Sequence, residues 1–251
     1  MARSLPSGAS LEVFAWLDST SLEARRRIEA GRRNSVFIVA LEQTSGYGRR
    51  GTSWSQGPGD FAGTLIFEER AARDRIGQLS FVAGLAVAET VSHFSPKAAP
   101  TLKRPNDVLA GEGKLAGILL ELFESDERRA IIGLGVGINI VSKPTLADYP
   151  AARLVDFLEG AAAPTPSEIA AILDGAIERW RDVWEKEGFA RIRAAWLEKA
   201  ARLGEPVRVR LPDGEVSGVF KDLDPTGALV LDCEGTRRLI AAGAILSGRG
   251  A

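Results

Sequence analysis

The sequence predicts an α+β fold: a mixed helix-and-strand unit over residues 1–202, then a small all-β unit over 203–251. Three observations predict it. Short apolar runs bounded by polar residues alternate with helical patterns through the first two hundred residues. Two Thr-x-x-Glu capping boxes, at Thr20 and Thr165, mark helix starts. From Gly204 the apolar period falls to two. The pairs Asp213-Gly214, Thr226-Gly227 and Glu234-Gly235 punctuate it at roughly ten-residue spacing, the signature of a small antiparallel barrel or sandwich.

Taken in order, residues 1–10 read as a short polar leader and 12–17 as a strand. Thr20-Ser21-Leu22-Glu23 opens a helix that runs to about Ala30. Residues 36–41 form a short apolar run that suits a buried strand, and it feeds a glycine-arginine loop at 45–54. A strand resumes at 63–67. Residues 78–94 have helical spacing at Leu79, Val82, Leu85, Ala86 and Val91. Strands follow at 116–123 and 130–134. Gly133, Gly135 and Gly137 interrupt the apolar run 131–140, so the backbone must pass close to something there. Thr165-Pro166-Ser167-Glu168 starts a helix with Pro at its first position. Its apolar face carries Ile169, Ile172, Leu173, Ile177, Trp180 and Trp184. Gly188 breaks it before a further helix to about Arg202. Short strands at 207–211, 216–220, 228–231 and 238–240 complete the chain.

Composition excludes several classes. A net charge of −1 gives no basis for bulk binding to nucleic acid or membranes. One Cys rules out an internal disulfide, and with one His it argues against a Cys/His zinc site. This points to a reducing compartment. No apolar stretch has the length of a signal peptide or the ~18 residues of a membrane span. The expectation is a cytoplasmic protein with no metal ligands of its own.

Three segments carry chemistry. In residues 45–54, Gly46, Gly48 and Gly51 permit φ > 0 and close backbone approach to a ligand. Arg49 and Arg50 offer forked donors for phosphate or carboxylate. The competing reading is a flexible surface loop with solvated arginines. Lys114 heads the apolar run 115–120, where it either snorkels outward or neutralises charge at a reacting phosphate. Asn106-Asp107 follows a proline and reads as a turn, or as an amide and carboxylate holding a nucleotide or its magnesium. Asp18-Ser19-Thr20 reads as a helix cap whose free N–H groups can also meet a ligand. His93 and Cys233 read as structural.

In this order and spacing the segments resemble the biotin protein ligase family. The resemblance runs from about Glu12 to Ile245. It takes in Asp18-Ser19-Thr20, Glu42-Gln43-Thr44, the three segments above, and Gly135-Val136-Gly137-Ile138-Asn139. Tyr149-Pro150-Ala151-Ala152 and the closing Ala242-Gly243-Ala244-Ile245 also belong to it. It implies a catalytic domain of the class II aminoacyl-tRNA synthetase-like, biotin-lipoate ligase type, with a C-terminal SH3-like small β-barrel. It implies that biotin attacks the α-phosphate of ATP, carried with Mg2+, to give biotinyl-5′-AMP. The adenylate then acylates one lysine of the biotin carboxyl carrier domain of acetyl-CoA carboxylase or a related carboxylase. No covalent enzyme intermediate is needed.

The resemblance also implies roles. Ser19, Thr20, Ser21 and Gln43 bind the ureido end of biotin. Gly46, Tyr47, Gly48, Arg49, Arg50 and Gly51 form the loop over the adenylate, and Trp54 packs on the biotin tail. Lys114, with Arg49 and Arg50, is catalytic. Gly117, Gly135 and Gly137 form the floor. Arg49, Asn106, Asp107, Lys114, Asn139 and Tyr149 bind the nucleotide.

The chain departs from the family pattern at three positions. Tyr47 and Thr52 stand where the family has arginine, and Arg104 where it has tryptophan. Two absent loop cations, each worth about 1.5–3 kcal/mol in a charge-assisted hydrogen bond, predict weaker retention of the adenylate. The resemblance begins near residue 12, so a ligase with no DNA partner is expected. Family members often pair through sheet edges, which leaves a homodimer open. The competing activities are a lipoate or octanoate ligase or transferase of the same fold, or a catalytically impaired biotin-binding homologue.

Overall fold

The computed structural model of the chain describes residues 3–71, 73–126, 129–145, 150–241 and 243–246. Its main sheet has eight strands. These are β1 (Arg3–Ser4), β2 (Ser10–Phe14), β3 (Val36–Ala40), β4 (Phe61–Glu69), β5 (Thr101–Lys103), β6 (Asp107–Ala110), β7 (Gly113–Ser125) and β8 (Ala130–Ile138). They lie in the order β1-β2-β3-β4-β8-β7-β6-β5. Only β2 and β3 run parallel, joined through helix α1 (Thr20–Glu29); the other described neighbours are antiparallel.

The two faces of this sheet carry different loads. One is covered by α2 (Leu79–Phe94) and α3 (Pro166–Glu187), with α4 (Phe189–Glu198) beside them. Phe61, Leu65, Ile132, Leu134, Val136, Ile138, Ala116 and Ile118 pack there with Leu85, Leu173 and Trp184 in the main core. On the other face α1 covers one part only. Its Ala24 and Ile28 meet Val36, Ile38, Ile66 and Ile131 in a second, smaller core.

Several boundaries differ from the sequence reading. Strand β2 ends at Phe14; Trp16 beyond it is 70% exposed. The cap of α1 is Ser19, one residue earlier than expected, which frees Thr20 for the site. Glu23 does not return to a cap but pairs with Arg26 and Arg27. The box at Thr165 and Glu168 forms as expected, and Gly188 at φ 77° separates α3 from α4. Strands β5 and β6 escaped notice because Pro105 and Asn106 lie between them and read as a turn. The glycines of 131–140 do not interrupt anything: β8 runs unbroken through them.

The C-terminal part is a five-stranded antiparallel sheet of β9 (Pro206–Leu211), β10 (Gly214–Leu223), β11 (Leu229–Cys233), β12 (Thr236–Ile240) and β13 (Ala244–Ile245). Its order is β12-β11-β10-β9-β13. The fifth strand, two residues long, has no visible period. The sheet rests on the first unit through Gly227 against Phe81 and Phe189, and through Arg193, whose Nε donates to Leu223 O at 2.6 Å. Among the described residues no helix is long and apolar enough to cross a membrane.

Candidate active site

Register explains where the cavity lies. Thr64 of β4 pairs with Gly135 of β8, Ala62 with Gly137, Gly137 with Gly117 of β7, and Gly117 with Asp107 of β6. Directly paired residues share a face, so these six side-chain positions all point to the α1 side. The large neighbours Leu134, Val136 and Ile138 point to the helices instead. A strip of the sheet is thereby reduced to bare backbone, and a cavity of about 270 Å³ sits over it. Added side-chain atoms would have no room. A Cβ on Gly137 would lie 2.3 Å from the Trp54 ring, and one on Gly117 3.2 Å from that ring and 3.3 Å from Lys114 Nζ.

The α1 end of the cavity is a lattice of neutral groups. Thr20 N–H donates to Gln43 Oε1 at 2.8 Å, and its hydroxyl lies 3.2 Å from the same oxygen. Thr64 Oγ1 donates to Thr20 Oγ1 at 2.9 Å, and Ser21 Oγ lies 3.1 Å from Thr64 Oγ1. Thr20, Ser21 and Thr64 are buried. Buried hydroxyls are stable only when partnered, and here they hold one another at the N-terminus of α1, where free N–H groups collect.

The β6 end is charged. Lys114 Nζ lies 2.7 Å from Asp107 Oδ1 and Lys103 Nζ 3.4 Å from Asp107 Oδ2. Lys103 and Asp107 are buried. One carboxylate thus faces two ammonium groups, leaving this cluster with a net positive charge. The backbone of Lys114 is pinned as well: its N–H donates to Pro150 O and its carbonyl accepts from Ala152 N, both at 2.8 Å. Arg210 and the segment 243–246 of the C-terminal sheet close the cavity from the other side.

The loop between β3 and β4 forms the roof. Gly48 N–H donates to Thr52 O at 2.7 Å and Trp54 N–H to Gly46 O at 2.9 Å, folding it back on itself. Arg50 (φ 57°) and Gly51 (φ 73°) are left-handed. Gly46 and Gly48 are not; Gly46 is required because a Cβ would meet Gln43 Nε2 and Trp54 O at 2.8 Å. Partial desolvation and the adjacent Arg50 charge lower the Arg49 pKa. Thr52, where a cation was missing, uses its hydroxyl to bond Arg49 O at 3.0 Å. Tyr47 donates to the Glu121 carboxylate at 3.2 Å, which also holds Arg25 at 2.9 Å. Burial, then the Glu121 charge, pushes the Tyr47 phenol up.

Of the residues singled out in the sequence, Ser19, Thr20, Ser21, Gln43, Tyr47, Gly48, Arg49, Arg50, Trp54, Asn106, Asp107, Lys114, Gly117, Gly135 and Gly137 all line this cavity. Gly46 and Gly51 shape the roof without lining it. Asn139 does not line the cavity: it is buried behind the wall, where its Nδ2 donates to Lys114 O and Ala152 O at 3.1 Å. Asn106 lines the cavity, but its Nδ2 is spent on Ile118 O at 2.9 Å. Tyr149 lies outside the described residues. Sequence reasoning missed Thr64, Lys103, Arg210 and the 243–246 wall. Lys103 opens the segment Lys103-Arg104-Pro105-Asn106-Asp107-Val108 and was the one within reach.

Similarity to known proteins agrees with this architecture. A model described as the Biotin/lipoate A/B protein ligase family matches residues 14–139. A second, Biotin protein ligase C terminal domain, matches 203–246. The chain belongs to the biotin/lipoate A/B protein ligase family, on its biotin protein ligase side. Biotin--[acetyl-CoA-carboxylase] ligase of Paracoccus denitrificans is 38% identical over 94% of this chain and 100% of that protein. The protein of the same name from Mycobacterium tuberculosis is 34% identical over 94% of this chain and 88% of its own length. The structure of biotin protein ligase from Aquifex aeolicus in complex with biotin and ATP shares the fold, with a TM-score of 0.76. It covers 94% of this chain and 97% of that one at 23% identity.

Proposed function

We propose that this chain is a biotin protein ligase: it joins biotin to ATP, carried as its Mg2+ complex, and passes the biotinyl group to a lysine of a carboxylase carrier domain. The observation that carries the reading is the pairing of a neutral hydroxyl–amide lattice with a lysine-rich cluster three strands away across a bare floor. In the first step a biotin carboxylate oxygen attacks the α-phosphorus and pyrophosphate leaves with the bond it breaks. In the second, a neutral lysine amine of the carrier attacks the acyl carbon, AMP leaves with the bond it breaks, and the nitrogen gives up one proton to solvent.

The ureido group takes its hydrogen bonds from Ser19, Thr20, Ser21 and Gln43. Gly117, Gly135 and Gly137 form the floor, and Trp54, which lies against Gly117 and Gly137, packs on the biotin tail. Lys114 lies between carboxylate and α-phosphate, where its charge offsets the negative charge that gathers in the transition state. Asp107 holds Lys114 in place, and Lys103, Arg49 and Arg50 bind the phosphates. In this reading residues 1–202 carry the chemistry and 203–251 close one wall.

Pyrophosphate–ATP exchange, run in parallel with biotin, lipoate and octanoate, tests it. Exchange with biotin alone is expected; exchange only with lipoate or octanoate overturns it. Thr52→Arg is expected to slow release of the adenylate, and an unchanged release rate would remove the loop-charge argument.

A further inference from the structure

Arg104 sits between Lys103 and Pro105, both of which line the cavity, yet its own side chain leaves the site. It crosses to the C-terminal sheet. Nη2 donates to Ala241 O at 2.7 Å and Nη1 reaches Ile240 O at 3.4 Å. Only 9% of Arg104 is exposed. The guanidinium is held by main-chain oxygens, which carry partial charge only. Burial first, and then the charge of Arg49, bring its pKa down to about 10, with Asp224 acting in the opposite sense. A buried cation in such surroundings is tolerable only while those carbonyls stay where they are.

The residues that follow are a wall of the site. Gly243 packs closely, and a Cβ there would lie 2.7 Å from Val209. Ala244 then pairs with Arg210, and both line the cavity. Two polar or close contacts of the C-terminal sheet, Arg193 to Leu223 and Gly227 against Phe81, reach its β10–β11 end, while Ile240 and Ile245 pack into the shared core. Arg104 reaches the end that lines the cavity. We propose that Arg104 is a positioning residue that holds Ile240 and Ala241, and with them residues 243–246 and Arg210, as a wall at the phosphate end of the cavity. The inference rests on the ligase reading for which ligand fills that end, but the clamp itself does not.

The test uses the full chain with Arg104→Met, which keeps the stem, and Arg104→Lys, which keeps a charge and one donor. For Arg104→Met the KM for ATP in pyrophosphate exchange should rise about tenfold, while the KM for biotin and kcat stay within about twofold. Amide hydrogen exchange should quicken in 240–246 and remain unchanged in β11. Arg104→Lys should recover part of both effects. Unchanged KM for ATP together with unchanged exchange in 240–246 would overturn the proposal. So would an equal rise for biotin and ATP with faster exchange throughout, the mark of general destabilisation. Absence of biotin-dependent activity in the unaltered protein would sink the ligase reading instead, and local amide exchange would still decide the clamp.

Discussion

At the α1 end of the cavity the lattice joins neutral groups: three hydroxyls, one carboxamide and the backbone of a helix start. At the β6 end, roughly 14 Å away by strand spacing, two lysines share one carboxylate and arginines crowd the roof. The difference teaches how one cavity handles two kinds of ligand. Neutral lattices select by direction, because a misplaced or missing partner leaves a buried group unpaired at a cost of about 1–3 kcal/mol. Charged clusters select by sign and act over longer distances, so they serve ligands whose charge moves during reaction.

Lys114→Met should break the contrast most severely. Exchange turnover should fall about 10²–10³-fold, while biotin binding measured by calorimetry survives. Equal losses in both would show that the lysine serves the α1 end as well. Gly137→Val comes next. The new side chain must displace Trp54, and biotin affinity should drop about 100-fold with ATP binding little changed; loss of both ligands alike would mean the floor is common to them. Thr20→Val removes one hydroxyl from the lattice and should weaken biotin about tenfold. An affinity equal to that of the unaltered protein would reduce the lattice to scaffolding.

The smallest effect concerns acid. Hydrogen bonds from Arg26, chiefly, hold the Asp18 carboxyl at about 2, below its ordinary 3.8. Its folded-state pKa is depressed, so its stabilisation is complete above the ordinary carboxylate range. It is lost as pH falls through about 2. NMR titration should find Asp18 still ionised at pH 3, and Arg26→Ala should return it toward 3.8. Its exposure keeps the stability change small.

What could be read in advance was local. The loop at 45–54, Lys114 and the start of α1 carry their chemistry in adjacent residues, and each lines the cavity. What could not be read depends on register or on packing between distant parts. Thr64 is an ordinary strand threonine until β4 pairs with β8 and brings it under Thr20. The glycines of β8 looked like breaks because their spacing shows its purpose only when one face of the sheet is covered by helices and the other only in part. Asn139 sat in a recognised segment but points behind the wall. Where the C-terminal sheet meets the cavity it does so largely through a two-residue strand, too short for any periodic signal.

The bare strip beneath the cavity sets an asymmetry on what variation can do to it. Glycine is already the smallest residue, so every substitution at Gly117, Gly135 or Gly137 subtracts space and none adds any. Descendants of this sequence can narrow their appetite through the floor by single steps. To accept a bulkier acid they must rebuild the ceiling, where Trp54 and its loop are the parts with something left to give up.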